Sequence, residues 1–509
     1  MTLLLDDLAR ASTEVASTRS RLAKIERLGA VLHDASPDEM PTAVAYLSGI
    51  LPQGSIGVGW AMLRDHPDPA VTPSLTVAEV DATLRRVGTT SGPGSQTEKR
   101  RTMHDLFARA TESEQRFLRG LLSGEIRQGA LEGVMVEAVA RAAGVSSAAV
   151  RRAAMLAGDL APVAAAAMRN GEGGLAAFAL RPLSPVKPML AQTAEGLGDA
   201  LERISPASVE WKLDGARLQV HRLGDEIRAF TRSLADVTDR VPEIVAQIRT
   251  LEIEAIVLDG ESIALRPDQM PHAFQESMSR FGRRLGIEEH RERVPLSYFA
   301  FDVLHVDGED VLDLPQRERA AILDGRLPVH LRIPRVVASS LADAQPFMTD
   351  ALAKGHEGVM VKDVEAPYEA GRRGAGWLKV KPAHTLDLVV LAAEWGHGRR
   401  QGRLSNLHLG ARDPDTGGFV MLGKTFKGMT DEMLAWQTEE LQRLETRREG
   451  IVVFVRPELV VEIAFDGLQR STRYPGGLAL RFARVRGYRP DKRPEDADTI
   501  ETVRALAAR

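Results

Sequence analysis

The stretch Glu210-Trp-Lys212-Leu-Asp214-Gly215-Ala-Arg217 sets a lysine two residues ahead of an Asp-Gly pair. Alone, Lys-x-Asp-Gly reads as a tight turn beside a solvated lysine. Its company in the chain changes that reading. Phe230-Thr-Arg232-Ser follows it, then Leu258-Asp259-Gly260-Glu261 and Phe299-Ala-Phe301-Asp302. Beyond these come His356-Glu357-Gly358-Val-Met-Val-Lys362, Trp377-Leu-Lys379-Val-Lys381 and Arg489-Pro-Asp491-Lys492-Arg-Pro-Glu495. The chemistry of such a set is that of a nucleotide site with a lysine nucleophile. An amine attacks only when deprotonated, and neighbouring cations favour that form; Lys379 and Lys381 are the expected neighbours. With Arg232 they would also offset charge on a phosphate in the transition state. Glu261 and Glu357 are hard oxygen ligands suited to Mg²⁺ or Mn²⁺, and Phe301 offers an aromatic face to a base.

Working outward from these segments, residues 1 to about 168 read as helices. Leu118-Leu121-Leu122 and Val134-Val136-Ala138 sit near helical spacing. Ser91–Arg101 reads as a loop running into a basic helix start, and Asn170–Gly174 with the following prolines as a linker. After it the apolar period becomes two, at Arg217–His221, Ile227–Thr231, Ile256–Leu258, Tyr298–Val303 and Val359–Val361, which predicts short buried strands among helices. Further strand-like runs at Leu388–Ala392, Phe419–Leu422, Val452–Val455 and Val460–Phe465, with one helix at Asp431–Leu444, suit a small five-stranded barrel such as an OB-fold. The expected fold is therefore multidomain. An all-α domain spans residues 1–180, an α+β domain 181–385 and a C-terminal β-barrel 386–509.

Composition narrows the class. The chain has 509 residues, 44% apolar and 27% charged, which is too long for one core and ordinary for a folded soluble protein. No apolar stretch is long and uncharged enough to span a membrane, and the acidic start lacks the charge of a secretory signal, so a cytoplasmic protein is expected. The absence of cysteine excludes disulfides, thiolate zinc sites and Cys nucleophiles. A net charge of −4 announces no polyanion partner, so any such site must be a local patch, and Arg481–Arg493 is the densest basic run. Gly418-Phe-Val-Met-Leu-Gly423-Lys424-Thr425 fits the P-loop pattern letter for letter, but its centre is strand-like and no helix follows at once, so it is read as a decoy.

With these motifs in order, the sequence resembles the ATP-dependent DNA ligases of the covalent nucleotidyltransferase superfamily, over nearly the whole chain. The resemblance implies that Lys212 is the residue adenylylated and that Glu210 helps to hold adenine. It implies that Arg217 contacts the nucleotide sugar or the 5′-phosphate, that Arg232 contacts phosphate, and that Phe301 stacks on the base. Glu261 is implied near the ribose and metal, Glu357 at the metal, and Lys379 and Lys381 at the α-phosphate. Arg489–Lys492 resembles the last motif, which orients the pyrophosphate leaving group. Two arginines, Arg372 and Arg373, precede Trp377 where one nucleotide contact is expected, and spacing to Lys379 favours Arg373. Leu122–Gly129 with Glu137-Ala-Val-Ala is similar to the helical DNA-binding domain of larger ligases, with Arg127, Arg100 and Arg101 as DNA contacts. Leu183–Leu190 resembles the approach to their catalytic domain.

The implied activity is a DNA ligase using ATP and Mg²⁺. It would seal nicked double-stranded DNA independently of sequence through an enzyme-lysyl-AMP intermediate, in replication, repair or recombination, as a bacterial cytoplasmic monomer. NAD-dependent ligases usually carry a four-cysteine zinc module, which this chain lacks. An RNA ligase or mRNA-capping nucleotidyltransferase is the alternative enzyme, although neither usually brings so long a helical region before the lysine. A non-catalytic DNA-binding protein on a ligase scaffold should have lost Lys212, Glu261 or Lys379, and none is lost.

Overall fold

Helices fill the N-terminal region because their ends are written into the sequence. Thr76-x-x-Glu79 and Thr111-x-x-Glu114 close capping boxes that start the helices Val77–Thr89 and Glu112–Leu122. Ser20 and Ser146 cap Arg21–His33 and Ser147–Ala157. The computed structural model describes residues 2–59, 62–63, 67–126, 132–272, 274–282, 291, 293–369, 373–382 and 384–507, and only the backbone at 274, 275, 282, 373–375 and 399. The chain divides into two compact units, Met1–Val380 and Lys381–Arg509. The C-terminal split thus falls five residues before the expected boundary, and the helical region belongs to the same unit as the α+β region.

That union has a physical cause. Met155, Leu156 and Leu180 share one apolar cluster with Val186, Met189, Val257, Leu304, Leu312, Tyr368 and Trp377. Arg152 closes a two-pronged ion pair on Asp313 at 2.5 and 2.7 Å. The expected linker at 170–174 is instead part of the helical run Leu160–Ala176, broken at Gly171 (φ 56°, ψ −140°). Gly174 permits this close packing: a Cβ there would lie 2.4 Å from the Ala166 carbonyl oxygen. The expected loop running into a basic helix start at 91–101 turns helical at Ser95, in Ser95–Arg109.

Among the described residues the α+β region carries ten strands in two five-stranded sheets. In chain order they are β1 Leu190–Thr193, β2 Ala207–Lys212, β3 Ala216–Leu223, β4 Glu226–Thr231, β5 Ala255–Ala264, β6 Leu296–Val306, β7 Glu309–Asp310, β8 Arg335–Ala338, β9 Gly358–Asp363 and β10 Arg373–Val380. The first sheet runs β1-β10-β9-β2-β8 and the second β4-β3-β5-β6-β7. Each has one apolar face. Val209, Val359, Val361, Leu378 and Val380 pack in a cluster with the helices Leu197–Arg203 and Leu341–Ala353. Leu218, Val220, Ile256, Leu258 and Ala300 pack with Pro242–Arg249 and Gln316–Arg326.

The C-terminal unit is strand-rich, but among the described residues its pairing closes no barrel. Its strands are β11 His384–Trp395, β12 Leu404–Arg412, β13 Phe419–Thr425, β14 Glu445–Glu449, β15 Val452–Val455, β16 Val460–Phe465, β17 Gly467–Arg470, β18 Leu478–Arg481 and β19 Arg484–Tyr488. Seven of them form one sheet, and β17 and β18 a separate hairpin. The five-stranded expectation fails because β11 is twelve residues long and pairs with three strands: β12 along one edge, and on the other β16 with its first half and β15 with its second. The P-loop look-alike is β13, paired with β12.

Candidate active site

The site in the first unit follows from strand alternation. Antiparallel register sets Lys212 opposite Gly358, Glu210 opposite Met360 and Ser208 opposite Lys362. It then sets Lys362 opposite Trp377 and Met360 opposite Lys379. Opposed residues share a face, and period two keeps it, so Ser208, Glu210, Lys212, Met360, Lys362, Trp377 and Lys379 line the face turned away from the apolar cluster. On the second sheet Arg217 lies opposite Glu261 and Gln219 opposite Asp259, again on one face. Lys362 and Arg217 reach across to rings of the other sheet, so the two polar faces meet in one cleft.

Glycines set the close approaches. A Cβ on Gly215 would lie 2.2 Å from the Ser262 carbonyl oxygen, so the turn after Lys212 rests directly on β5. On Gly260 it would lie 2.5 Å from the Tyr298 ring. These contacts explain the glycines of Lys-x-Asp-Gly and Asp-Gly-Glu without appeal to a ligand.

Lys212 ends β2 and is held twice by Glu357. Its carbonyl accepts the Glu357 N–H at 3.0 Å, and its Nζ forms an ion pair with Glu357 Oε2 at 2.6 Å. Burial works to lower the Lys212 pKa, but Glu357, with Glu261 and Asp214 behind it, raises the value overall. The expected cationic activation is therefore not what surrounds the amine in this structure: its immediate partner is a carboxylate. Lys379 lies on the same sheet face, whereas Lys381 opens the second unit and sits 3.7 Å from Asp466 there. Burial pushes the Glu261 carboxyl up to about 7, against the pull of Lys212 and Arg217.

Beside the lysine lies an aromatic and charged box. Glu210 and Lys362, each about 1% exposed, pair at 2.6 Å. Lys362 Nζ also donates to the Phe301 carbonyl at 3.0 Å, and stands 4.7 Å from the Phe301 ring centre and 4.3 Å from that of Trp377. Phe301 and Trp377 meet edge to face, 5.8 Å apart. Arg217 is committed to protein partners. It donates to both Asp259 oxygens at 3.0 and 2.5 Å, to the Met189 carbonyl at 2.6 Å and to the Tyr368 hydroxyl at 3.3 Å. Tyr368 in turn donates to Asp259 at 2.6 Å and accepts the Met189 N–H at 3.0 Å. Further along β3, Gln219 bonds both Val186 N–H and C=O, and His221 accepts the Leu183 N–H. One strand face thus fastens the strap that leads into β1.

The structure gathers Glu210, Lys212, Phe301 and Glu357 around one cleft, with Arg217, Glu261 and Lys379 on its walls. Arg232 is exposed on the turn after β4, and no described contact ties it to Lys212. Arg127 and Arg372 lie outside the described residues, as does the side chain of Arg373. Sequence reading gave no role to Lys362, Asp259, Trp377 or Tyr368. Asp259 and Trp377 stand at period two from the assigned Glu261 and Lys379, which is a usable signal; Lys362, five residues after Glu357, and Tyr368, in a loop, have none.

For a divalent cation, Glu261 and Glu357 supply hard oxygens around Lys212. Hard carboxylate oxygens in a partly buried setting are the donor chemistry that suits such an ion, so the residues fit it. Among the described residues no three His, Asp or Glu side chains cluster as a complete ligand set. Such an ion would therefore draw its other ligands from water and substrate phosphate.

Three family models match the chain: "DNA ligase N terminus" at residues 61–140, "ATP dependent DNA ligase domain" at 188–381 and "ATP dependent DNA ligase C terminal region" at 400–492. A protein of Anaeromyxobacter sp. (strain K) named "Probable DNA ligase" is 58% identical over 99% of both chains. One of the same name from Mycolicibacterium gilvum (strain PYR-GCK) is 58% identical over the full length of both. Among solved structures, "Pmar-Lig_Pre." aligns with a TM-score of 0.64 at 17% identity, covering 95% of this chain and 99% of that one, a likeness of fold.

Proposed function

The chain belongs to the ATP-dependent DNA ligase family, and from that premise we propose that it seals nicks in duplex DNA through AMP carried on Lys212. The observation that carries the reading is the pairing of Lys212 with Glu357 at the mouth of the Glu210–Lys362–Phe301 box. Adenine would enter that box, against the Phe301 ring, with Glu210 as acceptor for its amino group. The α-phosphate would then lie toward Lys212 and Lys379. The Lys212 amine forms the N–P bond while the bond to pyrophosphate breaks, and its proton has Glu357 within reach at 2.6 Å. The AMP passes to the 5′-phosphate of the nick, and the 3′-hydroxyl displaces it. When bound, Mg²⁺ or Mn²⁺ supplies positive charge that offsets the phosphates and the two carboxylates.

Arg217 serves this site from its bonds to Asp259 and Tyr368, and Arg232, Arg373 and Lys381 serve phosphate. We read that unit as the ligase OB domain, with Arg489–Lys492 holding pyrophosphate in line. The helical region, with Arg100, Arg101 and Arg127, holds the duplex through its phosphates, so binding is independent of sequence and weakens steeply with salt. The protein works as a monomer in the bacterial cytoplasm; among the described residues no helix is long and apolar enough to cross a membrane. The test is incubation with Mg²⁺ and α-labelled ATP, followed by addition of nicked duplex. Label on the polypeptide, discharged as the nick closes, is expected. Label from GTP instead, or transfer only to RNA ends, would favour the capping-enzyme or RNA-ligase reading.

A further inference from the structure

Asp387 lies on β11 in the C-terminal unit, far in sequence from the basic segment that follows β19, yet it holds both of that segment's cation heads. Arg489 Nη1 stands 3.1 and 3.3 Å from the two Asp387 oxygens, and Lys492 Nζ stands 2.5 Å from one of them. The carboxylate is itself fixed. Its side chain is 11% exposed, its N–H donates to Asp498 Oδ2 at 2.8 Å, and its carbonyl accepts the Asp498 N–H at 2.8 Å. A charge this buried is costly unless paired, so its place is set by what it pairs with. The two cations, by contrast, remain 29% and 31% exposed. Arg489 spends Nε and Nη2 on Asp491, and Lys492 has three N–H groups of which Asp387 takes one. Both heads therefore keep donors for an anion from solvent while their position is dictated from below. Asp387 and Asp491 together balance the two cations, so what the heads offer a polyphosphate is their remaining N–H donors at a fixed spacing.

We propose that Asp387 is a positioning residue for the ATP step: it holds Arg489 and Lys492 at the spacing that meets the pyrophosphate leaving group. The inference rests on the reading of Arg489–Lys492 as the pyrophosphate-orienting segment, and the experiment separates the two. In the full chain, Asp387→Asn keeps the size and the backbone bonds and removes the charge. Enzyme-AMP formation at saturating ATP should fall on the order of 10-fold or more, as expected when a binding group shifts by a fraction of its bond length. Sealing of a nick supplied already adenylylated should stay near wild type, as should the melting temperature. Asp387→Glu, which keeps the charge and moves it by one methylene, should show a smaller loss with the same split between steps, and it carries the test should the Asn variant not fold. Asp498→Asn loosens the backbone that carries Asp387 but keeps the Asp387 charge, so its loss in enzyme-AMP formation should be smaller than that of Asp387→Asn.

Lys492→Ala tests the underlying reading. If it slows enzyme-AMP formation while both Asp387 variants do not, the inference fails and the reading stands. If Lys492→Ala is without effect, the reading fails and takes the inference with it. Equal losses in both steps for the Asp387 variants, or a loss matched by Asp498→Asn, would reduce Asp387 to a structural tie and overturn the proposal.

Discussion

Two places in this molecule pair cations with carboxylates, and they do so in opposite settings. At the end of β2, Lys212 and Glu357 meet at 2.6 Å inside a cleft, with 22% and 13% of their side chains exposed. After β19, Arg489 and Asp491 meet at 2.6 Å at the surface, with 29% and 59% exposed. In the cleft burial dominates, so one carboxyl, Glu261, is pushed up to about 7 despite the cations beside it. At the surface the same kind of contact only holds Asp491 down near its hydrogen-bonded value, about 2. A buried pair sets protonation state and geometry together, whereas an exposed pair sets geometry and leaves charge available to a partner.

The sharpest way to break the comparison is to remove the amine. Lys212→Ala should abolish enzyme-AMP formation and the sealing of an ordinary nick, since no other lysine stands in the same setting. It should still close a nick supplied already adenylylated, because the last step needs no carrier amine. Wild-type levels of labelled protein in this variant would end the assignment.

Next in size are the two carboxylates. Glu357→Ala frees Lys212 of its counter-charge, which by electrostatics alone should help the neutral amine form; it also removes a proposed metal anchor. If the metal role dominates, Glu357→Ala and Glu261→Ala should each lose on the order of 10²-fold in enzyme-AMP formation at limiting Mg²⁺. If the counter-charge dominates, Glu357→Ala should shift the pH profile of that step to lower pH with little loss in its maximum. Measuring the rate across pH at low and high Mg²⁺ separates the two outcomes.

How far these settings could be read from sequence differs in the same way. Strands at Ile227–Thr231, Ile256–Leu258 and Val359–Val361 were legible because alternation survives in strands with one apolar face. A motif on a strand places its period-two neighbours on the same face, yet Asp259 and Lys362 on these strands were given no role from sequence. The C-terminal sheet was less legible. Runs such as Val452–Val455 and Val460–Phe465 look like successive barrel strands, and only the length of β11 shows that both lie along one edge. Nor does sequence show that Lys212 is paired with Glu357 before any substrate binds, because that depends on a contact between residues 145 positions apart. The join of the helical region to the catalytic sheets was missed for the same reason. Met155, Leu156 and Tyr368 meet only in three dimensions, and the glycines at 171, 173 and 174 look like a linker although Gly174 is closely packed within a helical run.

The smallest expected effect tests the comparison through stability. Glu261 titrates near 7 in the folded chain and near 4.5 when unfolded, so the native state binds its proton more tightly. Its contribution to stability is full below about pH 4.5 and is lost as pH rises through 7. Glu261→Gln carries no such titration. Its melting temperature, measured without metal or nucleotide, should therefore rise relative to wild type between pH 5 and pH 8. The gap should widen by the equivalent of about 1 kcal/mol, well below the full shift because the side chain is partly exposed and Lys212 offsets part of its charge. Asp491 has its folded value lowered to about 2, so its contribution is fully present above the unfolded value and is lost only as pH falls through 2. Asp491→Asn should accordingly track wild type with a constant offset over the same range. A widening gap for Glu261→Gln beside a flat one for Asp491→Asn is what burial predicts. Parallel curves for both would mean that the cleft screens its charges as well as the surface does, and the account of Lys212 and Glu357 as a buried pair would fall with it.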